Sequence, residues 1–299
     1  MSATTIQFGQ LPALQLRAPD GAEATITLYG AHLVSWKDVA ATQEGAAGAA
    51  AAAGAATQER LFLSSLSALD GSRAIRGGVP VIFPQFAERG AGMRHGFARV
   101  STWRVADSGE QDGAAFAVLA LNQADLAPQL AAAWPHPFAL SLRVSVRARE
   151  LVMALEVRNT GTQPFPFAAA LHTYYLVEDQ EAVRIDGVQT ETLAIVDKLD
   201  QVFENIGGIG ADSGASGSSG GSGRTIAFDT GADKLALRQT GFLDAVVWNP
   251  GAADAAALAD MEDEAYRRFV CIEPALLGPL TLEPGGSWKG EQRVDVSAA

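Results

Sequence analysis

The stretch Leu140-Ser141-Leu142-Arg143-Val144-Ser145-Val146-Arg147, which resumes after a short break at Arg149 and Glu150 as Leu151-Val152-Met153-Ala154-Leu155-Glu156-Val157, decides the fold. Leu140, Leu142, Val144 and Val146 occupy every second position, and Leu151, Met153, Leu155 and Val157 repeat the pattern. A period of two places side chains alternately on opposite faces of a strand, so these runs predict a β-hairpin with one face buried. Working outward, Ile26 and Leu28 among threonines, Phe116 to Leu121, Ile226 to Phe228, Ala245 to Trp248, Phe269 to Ile272 and Val294 to Val296 are further short strands, most of them close to Gly, Pro, Asn or Asp. Many short strands with almost no crossover helices predict antiparallel sheets packed face to face. Ala252 to Arg268, rich in Ala, Leu, Met and Glu, is the one strong helix candidate and is expected on the outside of the sheets.

The 299 residues are 48% hydrophobic, enough for a substantial core, and we expect a single domain over 1–299. Two low-complexity insertions interrupt it: an Ala/Gly tract at about 45–56 and a Gly/Ser tract at about 213–223. Met1 through Pro12 lacks the basic start and apolar run of a secretory signal, so the cytoplasm is the expected location, and the protein is expected to be a monomer. The single cysteine, Cys271, and four histidines leave no framework for a disulfide or a structural zinc; Cys271 reads as a buried small hydrophobe.

A formal charge of −12 repels nucleic acid and acidic membranes, so neither is an expected partner. The field reverses locally. Arg73, Arg76, Arg89, Arg94, Arg99 and Arg104 lie in a stretch whose only acid is Glu88. Guanidinium groups grip phosphate oxygens bidentately, so this segment is either an anion clamp or a solvated basic face.

Ionisable residues also stand inside apolar strings. His172 follows the apolar run Phe165 to Leu171, as a core histidine satisfied by a carbonyl or as a group tuned near neutrality. Glu273 ends the strand Phe269 to Ile272, in a strand-end ion pair or in a pocket. His95, between arginines and glycine, is expected to be neutral and to serve hydrogen bonding. A histidine and a glutamate with several arginines supply an acid, a base and an anion clamp, with no cofactor required. Gly77-Gly78 precedes neither a helical pattern nor a lysine, which argues against a nucleotide loop.

Together the strings Leu69-Asp70-Gly71-Ser72, Ile75-Arg76-Gly77-Gly78-Val79-Pro80-Val81-Ile82-Phe83-Pro84-Gln85-Phe86, His95-Gly96-Phe97-Ala98-Arg99, Ser101-Thr102-Trp103, Leu171-His172-Thr173-Tyr174, Val247-Trp248-Asn249-Pro250 and Cys271-Ile272-Glu273-Pro274-Ala275 resemble the glucose-6-phosphate 1-epimerase branch of the aldose 1-epimerase family. The resemblance spans nearly the whole chain outside the two tracts. It implies a galactose-mutarotase-like antiparallel β-super-sandwich, with the site in a groove along one sheet, and interconversion of the α and β anomers of a hexose 6-phosphate. It also implies roles: His172 as general acid, Glu273 as general base, Arg76 and Arg99 on the substrate and its phosphate, and Asp200 on the sugar hydroxyls, with Asp197 close by. Arg94 stands where the family often has glutamine, which reinforces the anion clamp or shifts substrate preference. Acid and base are expected to face each other across a space the size of a pyranose ring, the base as carboxylate and the acid as imidazolium. The alternatives are an aldose 1-epimerase of neutral sugars, for which the arginines are only a basic face, and a sugar-binding sandwich without catalysis.

Overall fold

A computed structural model describes residues 2–39, 56–207 and 224–298. The two low-complexity tracts fall outside this range apart from Ala56. Every strand pairing is antiparallel, in three sheets. The deciding hairpin forms as Phe138–Arg147 and Glu150–Asn159, with Arg147 opposite Glu150, so the turn is Ala148-Arg149, one residue earlier than the sequence pattern suggests. Ala148 takes a left-handed φ of 42° to close it. Alternation along Phe138–Arg147 is nearly perfect, each apolar residue buried and each polar one half-exposed or exposed.

The hairpin is the middle of a nine-stranded sheet, flanked by Ala114–Asn122 on one side and Ser287–Ala298 on the other. Opposite it lies a six-stranded sheet in the order Leu199–Phe203, Asp244–Asn249, Phe269–Leu282, Phe165–Leu171 and Val81–Ile82, with Tyr174–Leu176 also paired to Phe269–Leu282. A five-stranded meander from Ala3–Phe8 to Thr57–Glu59 completes the structure. One continuous core takes Leu142, Val144, Met153 and Leu155 from the large sheet and Phe167, Ala169, Val247, Val270 and Ile272 from the six-stranded sheet. Strand parity then fixes the other face of the six-stranded sheet: Ala168, Ala170, Val246, Ala275 and Leu277 form a separate, smaller apolar cluster there.

A largely buried ion network joins the meander to the large sheet. Arg60 pairs with Asp38 at 2.7 Å and with Asp233 at 2.7 Å, and Arg149 of the hairpin turn reaches Asp233 at 2.6 Å.

Two expectations are corrected. Ala252 to Arg268 is not one helix: Gly251–Ala256 is α-helical, Ala265–Arg268 is a 3₁₀ turn, and residues 257–264 are turns. Its apolar residues are not spaced for one helical face; Ala255, Met261 and Tyr266 instead drop separately into a cluster with Phe62, Tyr174 and Phe269. Glu273 does not end a strand, because the strand runs on from Phe269 to Leu282 and Glu273 lies within it, 1% exposed. Pro274 is tolerated there because, with Ala245 opposite on one side, the other side faces a break between the strands Phe165–Leu171 and Tyr174–Leu176. Among the described residues no helix is long and apolar enough to cross a membrane.

Candidate active site

The strand break builds the site. Ala170 pairs with Ala275 and Tyr174 with Cys271, so the uninterrupted register places His172 directly opposite Glu273. His172 is anchored by its N–H donating to the Pro80 carbonyl at 3.0 Å, and Glu273 pairs on its other side with Val246, which in turn faces Val202. A row therefore crosses the outer face of the sheet as Val202, Val246, Glu273, His172 and Pro80. The next row carries Asp200, Trp248, Cys271 and Tyr174. All of these except Cys271 line one cleft of about 630 Å³.

The arginines close one end of that cleft. Arg73, Arg76, Arg89, Arg94 and Arg99 line it together with His95, whereas Arg104 lies on a strand at the edge of the nine-stranded sheet and does not. All seven residues singled out from the sequence, His172, Glu273, Arg76, Arg94, His95, Arg99 and Asp200, thus meet in one cavity. Asp197 is not among its lining residues. A second cavity of about 340 Å³ behind the loop carrying Arg89 is walled by Trp134, Phe97, Phe167 and Met93 and holds no acid and base pair.

His172 and Glu273 do not stand a sugar ring apart. Nδ1 and Oε1 are 3.3 Å from each other, since the two residues are cross-strand neighbours on one face of the sheet and their side chains converge. His172 Nδ1 and both Glu273 carboxyl oxygens are buried without a hydrogen-bond partner, and they look into the cleft. Burial raises the Glu273 pKa well above 4.5, helped by the negative field of Asp200. Burial also pushes His172 well below 6.5, helped by His95, Arg76 and Arg99. The free site therefore favours the neutral acid and the neutral imidazole over the carboxylate and imidazolium expected from the sequence. Either arrangement leaves the pair one proton between them.

Aromatic rings fix the imidazole. Tyr174 stacks on His172 with centroids 5.0 Å apart and planes at 11°, and Trp248 meets it edge-on at 5.8 Å. His95 is held by burial and by Arg99, Arg94 and Arg76 at a pKa of about 3. Its Nδ1 accepts from the Ala87 N–H at 3.3 Å, so the ring proton sits on Nε2 and His95 is a neutral donor, as expected.

The two central arginines differ. Arg76 donates through Nε and Nη2 to Asp260 at 3.2 and 3.3 Å and through Nη1 to the Tyr174 hydroxyl at 3.1 Å. Arg99 donates to the Arg94 carbonyl at 2.9 Å; among the described residues it makes no ion pair with a carboxylate, and its buried Nε has no partner. Burial and the neighbouring Arg76 and Arg94 lower its pKa to about 10, against the opposing pull of Tyr174. This is an unbalanced guanidinium facing a cavity.

Tyr174 and Trp248 were inside strings noted in the sequence, but only the fold gives them a place against His172. Asp260 carried no signal of its own, since its segment reads as one helix on the outside of the sheets. His172, Cys271 and Glu273 offer ligand atoms within 4.8 Å of one another, the only such group among the described residues. Burial keeps the Cys271 thiol protonated, with a pKa well above 9, and the arginines disfavour a cation, so the set is a poor metal site.

The chain as a whole is similar to known proteins. A family model described as aldose 1-epimerase matches residues 12–295. A protein of Cenchrus ciliaris provisionally named glucose-6-phosphate 1-epimerase is 33% identical over 96% of this chain and 85% of its own length. An Escherichia coli K12 protein with the same provisional name is 30% identical over 85% of this chain and 79% of its own length. Among solved structures, a provisionally named mutarotase from Salmonella typhimurium superposes with a TM-score of 0.79 at 24% identity, covering 100% of this chain and 94% of that one. A galactose mutarotase-like protein from Clostridium acetobutylicum gives 0.69 at 15% identity, covering 99% and 98%. The likeness in fold is to galactose-mutarotase-like sandwiches.

Proposed function

This chain belongs to the aldose 1-epimerase family, and from that membership we propose that it interconverts the α and β anomers of a hexose 6-phosphate, glucose 6-phosphate foremost, with Glu273 as base and His172 as acid. Ring opening removes the proton from the C1 hydroxyl, turns the C1–O1 bond into a carbonyl, breaks the bond between C1 and the ring oxygen, and gives that oxygen a proton. The two oxygens are geminal on C1 and lie closer together than one hydrogen-bond length, so a pair of side chains 3.3 Å apart on the cleft floor can serve both from one side. Rotation about the bond from C1 to C2 then presents the other face of the aldehyde, and the roles reverse as the ring closes. The pair begins and ends with one proton, so no exchange with solvent is needed. With this assignment the shared proton sits on the imidazole when sugar is bound, and the unpartnered oxygens of Glu273 accept the C1 hydroxyl. His95 donates through Nε2 to a sugar oxygen, and Asp200 accepts from hydroxyls at the other side of the floor.

The observation that carries the phosphorylated substrate is Arg99. Leaving a guanidinium half-buried among other cations without a carboxylate is costly unless an anion completes it, and a phosphate dianion does so with charge-assisted hydrogen bonds. A neutral hexose would leave that charge unpaired. Arg94 and Arg89 at the rim add to the attraction.

Two-dimensional NMR exchange between the anomer signals of glucose and of glucose 6-phosphate tests the reading. We expect catalysed exchange of both, with kcat/KM for the phosphate ester higher by about tenfold or more, the value of one good charge-assisted contact. Arg99→Ala should raise KM for glucose 6-phosphate and change glucose turnover little. Equal kcat/KM for the two sugars in the unaltered protein would reject the phosphorylated substrate.

A further inference from the structure

Arg76 and Arg99 enter the same cavity under different electrostatic conditions: Arg76 is met by the Tyr174 hydroxyl and by a carboxylate, Asp260, and Arg99 by a backbone carbonyl. The Asp260 carboxylate lies along the Nε and Nη2 edge of Arg76, the planar fork that a phosphate would engage with two oxygens. Asp260 itself lines the cleft. The contact is loose: 3.2 and 3.3 Å, against 2.7 and 2.9 Å for the buried structural pair of Arg60 with Asp38 in the same molecule. Both partners keep some contact with solvent, 24% and 15% of their side chains, whereas Arg60 and Asp38 keep 2% and 0%.

The backbone that carries Asp260 is fixed on its C-terminal side. Met261 is 2% exposed among Phe62 and Tyr174, and Glu262 accepts from Ser64 Oγ at 3.0 Å, from the Ser65 N–H at 3.1 Å and from the Ser65 hydroxyl. A rotamer change of the Asp260 side chain, without movement of the segment, is therefore enough to uncover the fork of Arg76. Tyr174 would still hold Nη1 and keep the guanidinium in place.

We infer that Asp260 is a built-in competitor for Arg76: a carboxylate that occupies the anion-binding fork in the free protein and that the phosphate of the substrate must displace. The inference rests on the hexose 6-phosphate reading for its biological meaning, although the competition itself is a property of the site toward any phosphate. The arrangement fits a reversible isomerisation whose product carries the same phosphate as its substrate. Two arginines without a competitor would hold both too long, and one with a competitor is never buried unpaired, because carboxylate and phosphate replace each other. Arg99, which has no such partner, supplies the standing attraction, and Arg76 with Asp260 sets how tightly the anion is kept.

The experiment is calorimetric titration of inorganic phosphate into the full-length protein and its Asp260→Asn and Asp260→Ser variants, paired with anomer exchange of glucose 6-phosphate. Both variants should bind phosphate about threefold to tenfold more tightly, the range of one partly exposed ion pair removed from competition. KM should fall in the same proportion while kcat stays within about twofold, since Asp260 hydrogen-bonds Arg76 and neither His172 nor Glu273. Unchanged or weaker phosphate binding in the variants, or a kcat loss with KM unchanged, would overturn the inference and make Asp260 a simple support for Arg76. Failure of the unaltered protein to exchange the anomers of glucose 6-phosphate would instead defeat the functional reading, and the phosphate titration would still decide the role of Asp260.

Discussion

Burial holds Glu273 and His172 each in its uncharged form, and this gives the site a pH signature. The folded pKa of Glu273 lies above 4.5, so its contribution to stability is full below that value and is lost as pH rises through the folded pKa. The folded pKa of His172 lies below 6.5, so its contribution is full above that value and is lost as pH falls through the folded pKa. Between the two limits the pair carries one proton and is competent in either direction of the reaction. The rate of anomer exchange, measured by NMR, should therefore be level across pH 6.5; an inflection there would mean that His172 titrates as a free imidazole. Glu273→Gln removes the group whose ionisation burial opposes, so at neutral pH the variant should be more stable in urea unfolding. A variant that lost stability would show that the carboxyl makes contacts that an amide cannot replace.

At the scale of elements, the site depends on one interrupted strand. Parity along Phe165–Leu171 and Phe269–Leu282 separates core residues from cleft residues, and the break at His172-Thr173 brings His172 and Glu273 side by side. The turn that presents Arg76 is equally constrained. Gly77 and Gly78 have φ of 102° and 58°, and a Cβ on Gly78 would come within 2.3 Å of the Leu33 carbonyl and 2.8 Å of His32 Nε2. His32 in turn holds the Gly77 carbonyl at 2.7 Å. Gly78→Ala should cost about 1–3 kcal/mol in thermal or urea unfolding and raise KM more than it lowers kcat, because it shifts Arg76 and not the floor pair. Much of this level was legible beforehand. The period of two gave the hairpin to within one residue, and the apolar strings marked His172 and Glu273 because a strand buried on both faces has no other use for them. What stayed hidden was set by tertiary placement: Glu273 reads as a strand end because Pro274 follows it, and only the gap in the neighbouring strand shows why the ladder continues. Asp260 was hidden for a related reason, since composition favours helix over 252–268 while the spacing of Ala255, Met261 and Tyr266 serves three separate contacts.

For the whole molecule, the balance is between a chain of charge −12 and a cavity end that is locally cationic. Binding of phosphate to the folded state alone should raise the melting temperature with concentration, by about 2.7 kcal/mol of added stability at one hundred times the dissociation constant. Arg99→Ala should abolish most of that shift. The unaltered temperature in the presence of saturating phosphate would speak against an anion site. Far from the cleft, Arg60 joins the meander to the large sheet, and Arg60→Met would leave Asp38 and Asp233 buried with only Arg149 between them. A loss of about 3–5 kcal/mol is expected in urea unfolding, with the exchange rate per folded molecule unchanged.

The central claim is that one cross-strand carboxyl and imidazole pair moves both protons of ring opening. Anomer exchange of glucose 6-phosphate by Glu273→Gln, followed by NMR beside a titration of inorganic phosphate into the same sample, tests it most directly. Exchange should fall by about 10²-fold or more with phosphate affinity retained. Exchange near the unaltered rate in a variant that still binds phosphate would contradict it.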